Sequence, residues 1–290
     1  MPLIHQRRFR VRSYECDAYG HVNNANYLRY MQEAALDASA AVGYDEARYN
    51  ELGTLWLIRE TQVEYLRPLR FGETVEVTTW VGDFRRVRSR RFYELRAVEQ
   101  GDLVAKASTD WVYIERESAR PARVPAEMIV AFAPEGAPEQ AQARDPFPAA
   151  PAPPPGAFVM ERAVEWRDLD SAGHVNNATY LNYMEEAGIL AAQAFGWPIR
   201  RMQAEGFAIV ARQYRVEYRQ RAAHGDALTV TTYLSSLRRA SAVRHYAITH
   251  GETLIAQARS QWVFVSLASG GIMRLPPEFL ENFGSHIAQE

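Results

Sequence analysis

An internal repeat constrains the fold of this 290-residue chain more than any other feature of its sequence. Residues 17–34 and 170–187 share 13 of 18 amino acids at an offset of 153 positions (170 − 17). The same offset aligns residues 63–65 with 216–218, which read Val-Glu-Tyr in both places. Two copies that keep their register over this length indicate two similarly folded units rather than a chance motif.

The segment between the two copies has the composition of a linker. Residues 133–157 contain 8 of the chain's 15 prolines together with 8 alanines. A stretch so rich in proline does not continue a helix or a strand and favours a semi-extended chain. We therefore predict an N-terminal domain over residues 1–132, a Pro/Ala-rich linker over 133–157 and a C-terminal domain over 158–290.

Both copies have the same predicted order of elements, which is one strand, one long helix and four further strands. In the first copy the strand lies at 9–14, the helix runs from an N-cap at Asn23 or Asn24 to Gly43, and the later strands lie at 55–65, 74–81, 88–97 and 103–115. In the second copy the strand lies at 159–166, the helix at 177–195 and the later strands at 207–218, 228–234, 242–249 and 254–266, with a short helix within 276–286. Apolar spacing and glycine-containing turns support these assignments. The order predicts an α+β fold in which each antiparallel sheet wraps around one long helix.

Composition narrows the partners and the compartment. The chain has 33 basic and 35 acidic side chains, and this balance does not favour a nucleic-acid or membrane partner. A single cysteine, Cys16, excludes an intrachain disulfide and fits a reducing compartment. Since no signal-like or membrane-spanning stretch is evident, we expect a cytoplasmic location.

A loop with the pattern Asp-x-x-Gly-His-Val-Asn-Asn precedes both predicted long helices. A helix start presents unpaired N–H groups and the positive end of the helix dipole, which can polarise a carbonyl. A carboxylate beside it can attack the carbonyl carbon or deprotonate water, a histidine titrates near neutral pH, and a glycine lets the backbone approach a ligand. The candidates are Asp17, Gly20, His21 and Asn24 in the first copy and Asp170, Gly173, His174 and Asn177 in the second. Together they predict acyl transfer to water.

The motif, in its order of strand, loop and helix, resembles the hotdog-fold thioesterases, in particular the 4-hydroxybenzoyl-CoA thioesterase-like group. The second copy, at 166–177, also resembles the acyl-carrier-protein thioesterases of plants and bacteria, which are themselves tandem hotdogs. The resemblance covers nearly all of the chain except the linker and the tail. It implies two hotdog domains in tandem that pair within one chain, with sites at the shared interface and further assembly into homo-oligomers.

The same resemblance implies roles for the loop residues. Asp17 and Asp170 would serve as nucleophile or general base, and the backbone N–H groups of Asn24 and Asn177 would polarise the thioester carbonyl. His21 and His174 match a catalytic histidine of the acyl-carrier-protein branch. That branch also uses an asparagine two residues after the aspartate, where this chain has Tyr19 and Ala172. The departure favours an aspartate-centred mechanism and leaves the role of the histidines open.

Two pairs of arginines lie at matching turns between strands: Arg85 and Arg86, and Arg238 and Arg239. Guanidinium groups suit phosphates, so these side chains are candidates to bind coenzyme A or an acidic carrier protein. The alternative is an exposed charged strand face that discourages edge pairing.

Three functions remain open at this point. The first is hydrolysis of an acyl thioester of coenzyme A or of an acyl-carrier protein, the second is a hotdog hydratase or dehydratase, and the third is a non-catalytic acyl-CoA-binding protein. Asp17 and Asp170 could also be simple loop caps. The histidines show no metal-ligand spacing, and no dinucleotide or phosphate-loop motif occurs. We therefore expect no metal and no bound cofactor, with coenzyme A or phosphopantetheine present only as part of the substrate.

Overall fold

The computed structural model describes residues 2–136 and 144–288. The chain divides into two compact units, Met1–Pro146 and Phe147–Glu290. This division falls inside the predicted linker, of which residues 137–143 lie outside the described part. The described linker residues on either side, 133–136 and 144–157, contain neither helix nor strand.

The first unit is a five-stranded antiparallel sheet with one long helix on it. Its elements are β1 (His5–Arg10), α1 (Asn24–Ala41), α2 (Glu46–Glu51), β2 (Thr54–Tyr65), β3 (Thr74–Arg85), β4 (Arg88–Ala97), β5 (Leu103–Glu115) and α3 (Ala126–Phe132). The strands lie in the order β1-β3-β4-β5-β2, and α1 packs on β1 and β3. This is the predicted α+β arrangement.

The second unit repeats this arrangement. Its elements are β6 (Phe158–Ala163), α4 (Asn177–Ala194), α5 (Ile199–Ala204), β7 (Phe207–Tyr218), β8 (Ala227–Ser235), β9 (Ser241–His250), β10 (Thr253–Ser266) and α6 (Pro277–Phe283). The order β6-β8-β9-β10-β7 is that of the first unit, and α4 packs on β8 and β6. The duplication read from the sequence is therefore a duplication of the fold.

The long helix of the first unit buries one apolar stripe against its sheet. Tyr27, Met31, Ala34 and Ala38 recur three or four residues apart and are all buried, as expected for a helix lying on a core. The two alanines let the helix lie close to the strands. Gly43 follows with a φ of +83°, a left-handed conformation that favours glycine, and the helix ends there.

The first strand of each copy begins and ends earlier than predicted. The predictions were 9–14 and 159–166, whereas the strands are His5–Arg10 and Phe158–Ala163. Short 3-10 turns at Ser13–Glu15 and Trp166–Asp168 bend the chain off the sheet edge. A hydrogen bond from a backbone N–H to a turn carboxylate closes both turns, from Arg12 to Glu15 and from Glu165 to Asp168. The alternation of apolar and charged residues therefore did not mark the strand end.

The side chain of Arg144, a residue of the predicted linker, forms ion pairs with the first unit. Arg144 makes ion pairs of 2.8 Å with Asp83 and 3.3 Å with Asp110. All three side chains are nearly buried, at 11%, 3% and 13% exposure. Arg90 completes the cluster with two hydrogen bonds to Asp110, at 2.8 and 2.9 Å. Where the chain leaves the first unit, each of these nearly buried charges therefore has a partner of opposite sign.

Two tryptophans of the second unit, one buried and one exposed, provide a matched test of how its hydrophobic core packs. Trp197 is fully buried in an aromatic core with Phe207 and Phe279, whereas Trp166 is 78% exposed. We expect Trp197→Ala to lower the free energy of unfolding by about 3–5 kcal/mol, and Trp166→Ala to change it by about 0.5 kcal/mol or less. Chemical denaturation of both variants measures the difference, and equal losses would contradict the assigned core.

Candidate active site

The loop between β1 and α1 is closed at its base by its own backbone. Cys16 and Val22 form an antiparallel bridge, and the N–H of Asp17 donates to the carbonyl of His21 at 2.7 Å. Gly20 turns the chain with a φ of +73°, and its N–H donates to the carbonyl of Asp17 at 3.0 Å. These backbone hydrogen bonds fix the conformation of the loop that carries Asp17 and His21.

The second unit forms the same hydrogen-bonded loop. Leu169 and Val175 form the matching bridge, and the N–H of Asp170 donates to the carbonyl of His174 at 2.9 Å. Gly173 has a φ of +77° and donates to the carbonyl of Asp170 at 3.0 Å. Asp, Gly and His thus lie together in each unit, as the repeat predicted, and both glycines serve the turn itself.

Each loop aspartate caps its loop with one oxygen. Oδ1 of Asp17 accepts the N–H groups of Tyr19 at 2.8 Å and of His21 at 3.2 Å. Oδ1 of Asp170 accepts the N–H of Ala172 at 2.9 Å. Both residues are exposed, and the other oxygen has no hydrogen-bond partner within the described ranges. The capping role and a chemical role are therefore compatible, because one oxygen orients the carboxylate while the second stays open.

The loop histidines are half-buried, and their environment favours the neutral ring. Burial lowers the pKa of His21, the charge of Arg70 lowers it further, and Asp17 opposes this shift. His174 has a lowered pKa for the same reasons, with Arg221 in place of Arg70. Neither ring is hydrogen-bonded to the carboxylate of its loop in the described structure. Each loop can therefore offer a neutral imidazole beside a carboxylate at neutral pH.

Each long helix begins three residues after the loop histidine (24 − 21 and 177 − 174). Asn23 is the N-cap of α1, and its side chain accepts the N–H of Ala25 at 3.0 Å; Asn176 caps α4 through Ala178 at 2.9 Å. Asn24 and Asn177 are therefore the first helical residues, as required for their proposed role. Each helix has 18 residues, so its first N–H groups lie at the positive end of a long dipole.

A tyrosine from the sheet ties down the first turn of each helix. The hydroxyl of Tyr65, at the end of β2, donates to the carbonyl of Asn24 at 3.1 Å. The hydroxyl of Tyr218, at the end of β7, donates to the carbonyl of Asn177 at 3.2 Å. These bonds fix the first turn of each helix against its sheet, and a fixed helix N-terminus suits stabilisation of a developing oxyanion.

Sequence reasoning missed a buried carboxylate that precedes each loop. Glu15 and Asp168 are 8% and 6% exposed, and each accepts a hydrogen bond from a tyrosine of the following helix, Tyr30 or Tyr183. The signal was available, since the offset of 153 aligns both pairs (168 − 15 and 183 − 30). The sequence comparison did not single out this pair because one copy has glutamate where the other has aspartate. A tyrosine on the buried face of a helix is also typical of a hydrophobic core.

The four candidate arginines lie away from the loops of their own units. Arg85 ends β3, eleven residues (85 − 74) from the end of that strand that adjoins the loop, a distance of about 36 Å along a strand. Arg86, Arg238 and Arg239 lie in the corresponding hairpins, and all four side chains are exposed. Phosphate binding by these residues stays a prediction.

Residues 2–136 and 144–288 contain no group of three or more His, Cys, Asp or Glu placed to hold a metal ion. Within the same described part, no helix combines the length and the apolar character that crossing a membrane would require.

Comparison with known proteins identifies the domains. Residues 2–132 match the family model "Acyl-ACP thioesterase N-terminal domain", and residues 164–283 match "Thioesterase-like superfamily". Among curated proteins, a chloroplastic palmitoyl-acyl carrier protein thioesterase of Cuphea hookeriana is 24% identical over 194 residues, which is 64% of this chain and 47% of that protein. A chloroplastic dodecanoyl-[acyl-carrier-protein] hydrolase of Cinnamomum camphora is 24% identical over 196 residues, which is 63% of this chain and 50% of that protein. The chain thus spans about half the length of these relatives.

Solved structures share the fold over nearly the whole chain. The 12:0-ACP thioesterase of Umbellularia californica superposes with a TM-score of 0.73 at 21% identity, covering 89% of this chain and 93% of that one. An acyl-ACP thioesterase of Bacteroides thetaiotaomicron superposes with a TM-score of 0.69 at 16% identity, covering 90% and 97%. The predicted tandem hotdog fold is therefore confirmed.

The environment of His21 gives a test with opposite signs. Asp17→Asn should lower the pKa of His21, because the carboxylate raises it, and Arg70→Met should raise that pKa, because the guanidinium lowers it. An NMR pH titration of the histidine Cε1 protons measures both shifts. Shifts in the same direction for both variants would contradict the assigned geometry.

The lowered pKa of His21 also sets the sign of the pH dependence of stability. As pH falls below the ordinary pKa of histidine, the free energy of unfolding decreases, because the unfolded chain binds the proton more readily.

Proposed function

Both halves carry hotdog domains of the thioesterase type, and we propose that the chain hydrolyses acyl thioesters of coenzyme A or of an acyl-carrier protein to a free acid and a thiol. The observation that carries the proposal is the repeated loop. In each unit an exposed aspartate and a half-buried histidine, whose pKa is lowered by burial, lie on the loop that leads into an 18-residue helix. A thioester carbonyl placed there meets N–H donors on its oxygen and a carboxylate near its carbon.

The proposed chemistry assigns one task to each group. The first helical N–H groups, at Asn24 and Asn177, stabilise the negative charge that develops on the carbonyl oxygen. The open carboxylate oxygen of Asp17 or Asp170 either removes a proton from the attacking water or attacks the carbonyl carbon itself, giving an anhydride that water then opens. The thiolate leaves and is protonated. The nearby neutral imidazole is placed to exchange a proton with water or with the leaving thiol.

The substrate class follows the relatives. Two curated relatives are named for hydrolysis of palmitoyl and dodecanoyl carrier-protein thioesters, and we propose a thioester of this kind, on a carrier protein or on coenzyme A. The exposed arginine pairs at 85–86 and 238–239 are proposed to bind phosphate. Association of these chains into a homo-oligomer, a cytoplasmic location, and catalysis without a bound metal or cofactor are part of the same proposal, and no nucleic-acid or membrane partner is included.

Substitution of the loop aspartates tests the proposal. We expect the Asp17→Asn/Asp170→Asn double variant to lose about 100-fold or more of the wild-type kcat, as for removal of a general base. The assay measures thiol release from short, medium, long-chain and aromatic acyl-CoA thioesters and from the corresponding acyl-carrier proteins. Each single variant should retain the activity of the intact loop.

Cys16→Ser provides a matched control. Cys16 adjoins Asp17, but leucine stands at its counterpart, Leu169, so the variant should keep the wild-type rate. Unchanged hydrolysis in the double aspartate variant would contradict the proposed role. If no thioester is cleaved by the wild-type chain, hydration of enoyl-CoA substrates distinguishes a hydratase from a binding protein.

A further inference from the structure

A buried carboxylate in each unit accepts two hydrogen bonds on one oxygen. Oε2 of Glu15 accepts the N–H of Arg12 at 2.7 Å and the hydroxyl of Tyr30 at 2.7 Å. In the second unit Oδ2 of Asp168 accepts the N–H of Glu165 at 2.9 Å and the hydroxyl of Tyr183 at 2.7 Å. A longer side chain in one copy and a shorter one in the other thus reach the same pair of donors.

The backbone of the same residue holds the helix start. The carbonyl of Glu15 accepts the N–H of the N-cap Asn23 at 2.9 Å, and the carbonyl of Asp168 accepts the N–H of Asn176 at 2.9 Å. One residue therefore links three places: the end of the first strand, the N-cap, and a tyrosine in the second turn of the helix. A shift of this residue would move the first helical N–H groups relative to the loop.

The tyrosine that completes this link is itself pinned. Phe9 stacks on Tyr30 with ring centroids 5.0 Å apart, and at the matching position of the second unit the guanidinium of Arg162 lies 4.3 Å from the ring centre of Tyr183. Both tyrosines are buried, at 4% and 0% exposure. The two copies therefore hold the same hydroxyl in place with chemically different neighbours.

We propose that Glu15 and Asp168, each with its tyrosine, are positioning residues for thioester hydrolysis. They fix the first helical N–H groups against the loop aspartate and do not touch the substrate themselves. This inference rests on the proposed hydrolase function. A guanidinium also lies near each carboxylate, since Nη1 of Arg12 is 3.9 Å from Oε1 of Glu15 and Nη2 of Arg162 is 3.7 Å from Oδ2 of Asp168. The positioning role is assigned to the oxygen that accepts both hydrogen bonds, and not to the charge.

Removing the hydroxyl tests the link. In the Tyr30→Phe/Tyr183→Phe variant we expect kcat to fall about 10- to 100-fold, the size of a lost hydrogen bond to a charged group, while KM stays within about twofold, because only the transition-state oxyanion is misplaced. Tyr93→Phe is the matched control, since it removes a buried tyrosine hydroxyl, bonded to Thr109 at 3.0 Å, that takes no part in the loop. This control should keep the wild-type kcat.

Amide variants separate position from charge. In Glu15→Gln/Asp168→Asn the amide oxygen can accept both bonds, so kcat should stay within about threefold of wild type, whereas Glu15→Ala/Asp168→Ala should lose at least as much as the phenylalanine variant. If the amide variant loses as much as the alanine variant, the charge is required and the positioning role is overturned. Wild-type kcat in both the phenylalanine and the alanine variants would also overturn it.

Hydrogen exchange keeps this test separate from the hydrolase proposal. If the wild-type chain cleaves no thioester, the proposed function falls, yet the link still predicts faster amide exchange at 16–24 and 169–177 in the phenylalanine variant than in wild type. Exchange in peptides of β4 and β9 should be unchanged, which shows that each unit remains folded. Unchanged exchange in the two loops would overturn the proposed link.

Discussion

The hydrogen bonds of one buried carboxylate hold together the strand, the loop and the helix of each unit. An ionised group taken out of water costs several kcal/mol unless it is well satisfied. At Glu15 and Asp168 a backbone N–H and a tyrosine hydroxyl bond to the carboxylate, and the guanidinium of Arg12 or Arg162 lies 3.9 or 3.7 Å from it. These bonds hold the chain where it leaves the sheet edge, and the backbone carbonyl of the same residue accepts the N–H of the helix N-cap. The loop that carries the aspartate and the histidine therefore lies between two fixed points, the buried carboxylate and the N-cap.

The two units keep this arrangement but differ around it. Each unit buries an arginine at equivalent positions in β4 and β9, Arg91 and Arg244. In the first unit the guanidinium faces the ring of Phe132 at 5.5 Å. In the second it donates to Nε2 of the buried His286, whose Nδ1–H donates to the carbonyl of Gly156 at 3.0 Å. The two units therefore differ in the residue that contacts the buried arginine, whereas both loops keep their aspartate, glycine and histidine.

Local sequence signals predicted the parts of the fold that depend on local chemistry. An N-cap at Asn23 or Asn24, the long helices and the later strands follow from capping, periodicity and turns, and the repeat supported them twice. The early end of β1 and the helix α3 escaped prediction. The turn that ends β1 depends on a bond between Glu15 and Tyr30, fifteen residues apart, which periodicity does not encode. Burial of Arg91, which follows the exposed Arg85, Arg86 and Arg88, depends on which strand face meets the helix.

The helix N-terminus at the end of each loop is proposed to polarise a thioester carbonyl, and isotope-edited infrared spectroscopy measures that polarisation. The ligand is an acyl-CoA labelled with carbon-13 at its thioester carbonyl, bound to the Asp17→Asn/Asp170→Asn variant so that it is not turned over. We expect the carbonyl stretch at lower frequency than that of the same thioester in water, because preorganised N–H donors bind its oxygen. A bound thioester with the frequency of the free molecule, or a higher one, would show that the helix N-terminus does not polarise the carbonyl.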